Sequence, residues 1–237
     1  MNNLRVATLI MVCSILGSSF SALADQAMYK KGNMYINLGA GVFSLEDIGR
    51  SFSTAASGFG ITYSASGTET YSFDSGYQVY GGLGYNFSDH LSYELDLGYS
   101  WAEYNDVTYS GTIVATAGGT SLTLSGSQSF NVDGEVSGLS VMNSLVAKFG
   151  SAQFNPYLGA GIGLVNFQDE INSISTLVVN GERSGTAPGA GLLAGIDAQI
   201  GGGALGLRYR YIWAATGENG FDDATAHAMT ANYKVPF

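Results

Sequence analysis

Charge is scarce in this chain. Asp, Glu, Lys and Arg together make up 12% of its 237 residues, about half the usual share. The charges present are mostly acidic and leave a net of −10. That balance excludes nucleic acid as a partner, because phosphate binding needs clustered Lys and Arg. Cys13 is the only cysteine, so no internal disulfide can stabilise the fold. Also missing after residue 24 is any unbroken apolar run of roughly 18 residues or more, which excludes a transmembrane helix. The remaining way across a bilayer is a closed β-barrel, since every backbone amide must be paired within hydrocarbon.

The N-terminus has the pattern of an export signal. Arg5 precedes the apolar run Val6 to Leu16, and Ala22-Leu23-Ala24 follows as a small-residue cleavage site. The expectation is a cleaved secretory signal over residues 1–24 and a single barrel domain over 25–237. Val12 before Cys13 is not the small residue a lipidation site wants.

What the chain has in abundance is alternation. In "LSYELDLGYSW", Leu91 to Trp101, the apolar residues occupy one parity, with Glu94 and Asp96 on the other. Period two means a strand with two unlike faces. Similar segments run over Met34–Phe43, Tyr77–Phe87, Gly138–Phe149, Tyr157–Phe167, Gly189–Ile200, Leu205–Trp213 and Thr225–Phe237. The number is even, and each segment is long enough to span hydrocarbon if tilted.

The connections alternate in length. Short ones lie at Ser88-Asp89-His90, around Ser151 to Asn155, and at Gly201-Gly202-Gly203. Long ones run over residues 48–75, 105–134 and 169–186, with a shorter one over 217–223. Short periplasmic turns and long extracellular loops are the outer-membrane arrangement. Within 107–132, β-branched residues around Gly118-Gly119 predict a hairpin projecting above the membrane. Tyr85, Phe87 and Phe149 near the turns, and Tyr99 and Trp101 at the far end, mark two aromatic girdles.

The faces separate by charge. The apolar parity carries no Asp, Glu, Lys or Arg within the spans, while the other carries Glu94, Asp96, Lys148, Asp197, Arg208 and Arg210. A soluble barrel would place them the other way round. In a ring of eight, strands three and seven face each other. Glu94 and Asp96 are therefore expected to meet Arg208 and Arg210 as a structural salt-bridge plug, since unpaired buried charge is costly. Inward glycines such as Gly39, Gly84 and Gly195 fit a narrow interior.

Other motifs carry less. "GAGLLA" at Gly189–Ala194 matches a dinucleotide pattern, but it lies inside a strand, where that motif has no helix to open. His90 and His227, without a thiolate, make no metal site, and no cofactor is expected. His227 lacks the nearby Ser of a Ser-His-acid arrangement. Glu218, Asp222 and Asp223 read as a solvated rim.

"MYINLGAGVF", "PYLGAGIGLVNF", "ALGLRYRYIW" and the ending "ANYKVPF" give the chain a resemblance. It resembles the small eight-stranded outer-membrane barrels of the OmpA-barrel, opacity and surface-antigen type. The resemblance implies an all-β antiparallel up-and-down barrel in a Gram-negative outer membrane. It also implies that Tyr233, Val235 and Phe237 present an insertion signal to the barrel-assembly machinery, with Pro236 departing from the pattern. The expected role is a non-enzymatic structural or interaction protein that acts through its loops on host surface molecules. Lipopolysaccharide is the expected lipid partner, reached from the loop acids through divalent cations. The alternatives are a narrow small-solute pore and a lipid-modifying enzyme.

Overall fold

The computed structural model describes residues 29–150, 153–175, 177–216 and 223–237. The expected signal segment and the acids Glu218 and Asp222 lie outside them. Among the described residues there are ten strands: β1 (Met34–Leu45), β2 (Ile48–Gly58), β3 (Ile61–Phe73), β4 (Gly76–Asn86), β5 (Leu91–Ala117), β6 (Thr120–Lys148), β7 (Phe154–Ile174), β8 (Leu177–Ile200), β9 (Gly203–Ala214) and β10 (Ala224–Pro236).

Eight of them close into an antiparallel barrel. Its ring runs β4-β1-β10-β9-β8-β7-β6-β5, and β5 pairs again with β4. Each of the eight alternating segments falls on one ring strand. Closure leaves no open sheet edge at membrane depth, so the backbone is satisfied by interstrand pairing. Outward residues such as Leu97, Leu145, Ile162, Leu192 and Leu207 are all exposed.

At the turn end, β8 and β9 are joined by two residues. Ile200 pairs with Gly203, and Gly201 takes φ +61°. Gly203 therefore belongs to β9, not to the turn. Ser88 Oγ accepts from the amides of His90 (3.2 Å) and Leu91 (3.0 Å) and closes the β4–β5 turn. Asn155 lies within β7, which begins at Phe154, three residues earlier than the alternation suggests.

The other end corrects the expectation of long loops. Residues 48–73 form the β2–β3 hairpin, which adds to the upper part of β5. Residues 105–134 continue β5 and β6 up to a turn at Gly118-Gly119, where the sequence places a projecting hairpin. Much of 169–186 continues β7 and β8. These segments read as loops because Ser and Thr occupy both parities and blur the alternation. Their Thr, Val, Ile and Tyr content nonetheless suits a pleated sheet.

Four register shifts interrupt the ladders, between Tyr71 and Phe73, Glu103 and Asp106, Asp133 and Gly134, and Ile171 and Ser173. All lie above the row of Trp101, Ser137 and Gln168. Below it parity is unbroken. On β5 the odd residues up to Trp101 point outward, whereas beyond the shift Val107 is fully buried. One extra residue has turned the apolar side of the strand inward.

Candidate functional site

Inward positions in the lower barrel hold seven buried ionic groups: Glu94, Asp96 and Asp197 with Lys148, Arg208, Arg210 and Lys234. β5 and β9 stand opposite in the ring, which brings the first two acids against the two arginines. Arg208 Nη2 reaches Glu94 Oε2 at 2.6 Å, and its Nη1 reaches Asp96 Oδ2 at 3.3 Å. Arg210 Nη2 meets the same Asp96 oxygen at 2.6 Å.

Lys234, which the sequence alone does not single out, is central here. Its Nζ lies 3.2 Å from Glu94 Oε1 and 2.8 Å from Asp197 Oδ2. The even parity of β10 was the available signal, since Thr230, Asn232 and Lys234 are all buried. Lys148 plays a different part. It forms no ion pair among the described residues; its Nζ donates to Asn86 Oδ1 and rests 4.4 Å from the centre of the Tyr29 ring.

Tyrosines complete the plug. Tyr35 donates to Glu94 Oε1 at 2.7 Å, and Tyr29 donates to Asp197 Oδ2 at 2.8 Å. Arg208 Nε donates to the Tyr157 hydroxyl at 3.2 Å. The Arg210 guanidinium stacks 4.9 Å from the Tyr80 ring centre, and Lys234 lies 4.5 Å from that of Tyr157. Three of these rings are in register with a glycine on the next strand: Tyr35 with Gly84, Tyr80 with Gly39, Tyr157 with Gly195. A Cβ on Gly84 would lie 2.1 Å from the Tyr35 ring. The glycines are the floor on which the rings lie.

Above the plug the interior changes character. Phe43, Ala102, Ala226 and Ala228 form one buried cluster. Tyr71, Tyr104, Val107, Val132 and Ile171 form another. Between them is a cavity of about 520 Å³. Tyr104 donates to Asp169 Oδ1 at 2.7 Å on its wall. Burial holds the Asp169 carboxyl above its usual range, against the pull of that bond and of Arg183. Burial likewise pushes the Tyr71 phenol up to about 12.

The projecting sheet presents two unlike faces. In register on one are Tyr63, Ala115 and Leu122, then Ala65, Ile113 and Leu124, and the four large residues are exposed. The other carries hydroxyl pairs Thr108–Ser129 (2.7 Å), Thr112–Ser125 (2.9 Å) and Thr116–Ser121 (2.8 Å). Residues 107–132 contain no Asp, Glu, Lys or Arg. Phe59, fully exposed with φ +53°, stands at the tip of the β2–β3 hairpin.

At the boundary between sheet and barrel, Glu103, Glu135, Glu170 and Glu182 are mutually in register on β5 to β8. Like charges directly opposite repel. Trp101 Nε1 donates to Glu135 Oε2 at 2.7 Å. The acids are strung along a row, and among the described residues no three converge as metal ligands. His227 engages Glu46 Oε1 through Nε2 (2.8 Å) and the Tyr209 hydroxyl through Nδ1 (2.6 Å). Its hydroxyl partner is thus a phenol, not a serine. At the end of β10, Tyr233 and Phe237 are exposed while Val235 is buried.

The model of the outer membrane protein beta-barrel domain matches residues 13–237. Three solved structures are similar at low identity. Neisserial surface protein A is 16% identical, with 86% of this chain and 97% of that chain covered and a TM-score of 0.44. OprG from Pseudomonas aeruginosa is 16% identical, with 89% and 99% covered and a TM-score of 0.46. Ail, the attachment invasion locus protein of Yersinia pestis, in complex with the heparin analogue sucrose octasulfate, is 11% identical, with 86% and 99% covered and a TM-score of 0.40. No curated protein matches the sequence significantly.

Proposed function

The chain belongs to the outer membrane protein β-barrel family, and from that premise we propose that it is a non-enzymatic surface protein whose extracellular sheet binds a host surface molecule. The observation that carries the reading is the uncharged, apolar row pair on β3, β5 and β6. Such residues standing clear of a membrane-embedded scaffold have no structural need to be apolar, and exposed apolar patches mark interaction sites. Phe59 adds an exposed aromatic side chain at the tip, a residue type enriched at interfaces.

The test is excision of the hairpin above its buried base. Val107 and Val132 belong to the interior cluster, so residues 111–126 are replaced by Asn-Gly between the paired Ser110 and Ser127. Purified folded protein with the hairpin should bind host-cell surfaces in a plate assay. The excised form should lose at least about tenfold in affinity, which corresponds to about 1.4 kcal/mol. Equal binding by the two forms rejects the reading.

Lipopolysaccharide is the proposed lipid partner. Divalent cations shared between its phosphates and the Glu103–Glu182 row would relieve the repulsion along that row. Chelation with EDTA should then lower the thermal midpoint of the lipopolysaccharide-bound barrel and release lipid. The Glu135→Gln, Glu170→Gln variant should show a smaller change on the same treatment. The signal peptide over 1–24 and the Tyr233, Val235 and Phe237 insertion signal belong to the same proposal, as the export and assembly route.

A further inference from the structure

The cavity above the plug has no part in the interaction reading, and its chemistry is unlike that of the rest of the lumen. Its walls are rings and aliphatic groups, among them Phe43, Phe73, Phe167, Ile212 and Ala226. Its lower end carries the neutral polar side chains of Gln78, Ser100 and Ser140. The charged groups on its lining, Arg50, Asp169 and Arg183, belong to the segments above the girdle. Beneath it, Tyr80 and Met142 lie buried between the cavity and the ion pairs.

From this arrangement we propose that the upper lumen is a binding site for an uncharged, elongated apolar molecule, a single hydrocarbon chain or ring system ending in one hydroxyl or carbonyl. Protein interiors rarely keep voids larger than a water, and apolar cavities stay dry and take up apolar guests. At about 520 Å³ the space falls within the ordinary range of small-molecule sites. The neutral amide and hydroxyls at the lower end give one polar terminus a partner. They carry no positive charge to offset a buried carboxylate, and beneath them Arg208 Nη2 and Arg210 Nη2 each hold a carboxylate at 2.6 Å. Entry is from above, where Arg183 and Ser184 are exposed on the lining. The plug closes the other end, so the site holds its ligand and does not pass it through. This inference is independent of any partner bound by the projecting sheet, and its test leaves that sheet intact.

The probe is dodecanol carrying a terminal diazirine, photolysed with the full-length protein in lipid nanodiscs and mapped by peptide mass spectrometry. Labelling at Phe43, Phe167 and Ile212 should saturate. An excess of plain dodecanol should reduce it at least about tenfold, while labelling of outward Leu97 and Leu192 should not be competed. Dodecanoate should compete less well. Ala226→Phe fills the cavity and should reduce interior labelling by a similar factor, with outward labelling and the heat-resistant folded band on gels retained. Ala214→Phe, on the same lining, serves if the first variant does not fold. The proposal is overturned by interior peptides that stay unlabelled, by interior labelling that excess dodecanol leaves unchanged, or by a folded Phe variant labelled like the parent. Stronger competition by dodecanoate than by dodecanol overturns the assignment of an uncharged ligand.

Discussion

Arg208→Met is expected to destabilise the folded barrel by about 3–5 kcal/mol, the range for removing one partner of a buried ion pair. Arg208 is the only group that touches both Glu94 and Asp96 among the described ion pairs. Without it Glu94 keeps Lys234 and Tyr35, and Asp96 keeps Arg210. Two carboxylates would then share fewer cations in a space from which bulk water is excluded. The measurement is the urea midpoint of the folded-to-unfolded transition in lipid vesicles, read by gel mobility. Arg208→Met with Glu94→Gln should recover much of the loss, because the second change removes the carboxylate that has lost its 2.6 Å partner. A single variant as stable as the parent would mean that water already solvates these groups. Planar bilayers give a second readout that separates a plugged barrel from a narrow pore. The parent should stay near the baseline, and Arg208→Ala with Arg210→Ala should raise conductance. A parent that conducts small ions freely would favour the pore reading.

Gly84→Val should prevent correct assembly or shift the midpoint by more than an ordinary overpacking cost of about 1–3 kcal/mol. The added Cβ would lie 2.3 and 2.5 Å from two further atoms of the Tyr35 ring. Tyr35 is fully buried and its hydroxyl is bound to Glu94, so it cannot swing aside without giving up that bond. Tyr35→Ala in the Gly84→Val background should restore a heat-resistant folded band, since the ring that forbids the side chain is then gone. Failure of the double variant together with normal folding of Tyr35→Ala alone would show that the glycine matters for another reason. Gly81 supplies the contrast. Its nearest neighbour would be a Leu38 methyl at 3.3 Å, and Gly81→Ala is expected to be tolerated.

The barrel was legible because hydrocarbon enforces a simple code. Leu91 to Trp101 must alternate when one side meets lipid and the other a narrow lumen, and the same constraint acts on all eight segments. Glu94, Asp96, Arg208 and Arg210 were legible for the same reason, since parity and ring position together locate them. Lys234 was not, because the outward residues alone mark the alternation of the eighth segment. The inward tyrosines were hidden because a tyrosine in such a sequence suggests a girdle. Their true marker is a partner glycine on the neighbouring strand, visible only once register is known. The apolar upper lumen had a fainter signal. At Val42-Phe43, Leu164-Val165 and Ile212-Trp213 both parities are apolar, the pattern of a strand covered on two sides. The projecting sheet was least legible, since water on both faces removes the alternation that reports a strand.

The four register shifts act as a seam along one side of the barrel, from β3 through β5 to β8. Because every one lies on the far side of the Trp101 row, insertions and deletions there can change which side chains the surface displays without moving any charge below. A chain built this way can change its outer portion while the anchoring portion keeps its pairing, so the molecule is a mount to which new recognition hairpins can be fitted.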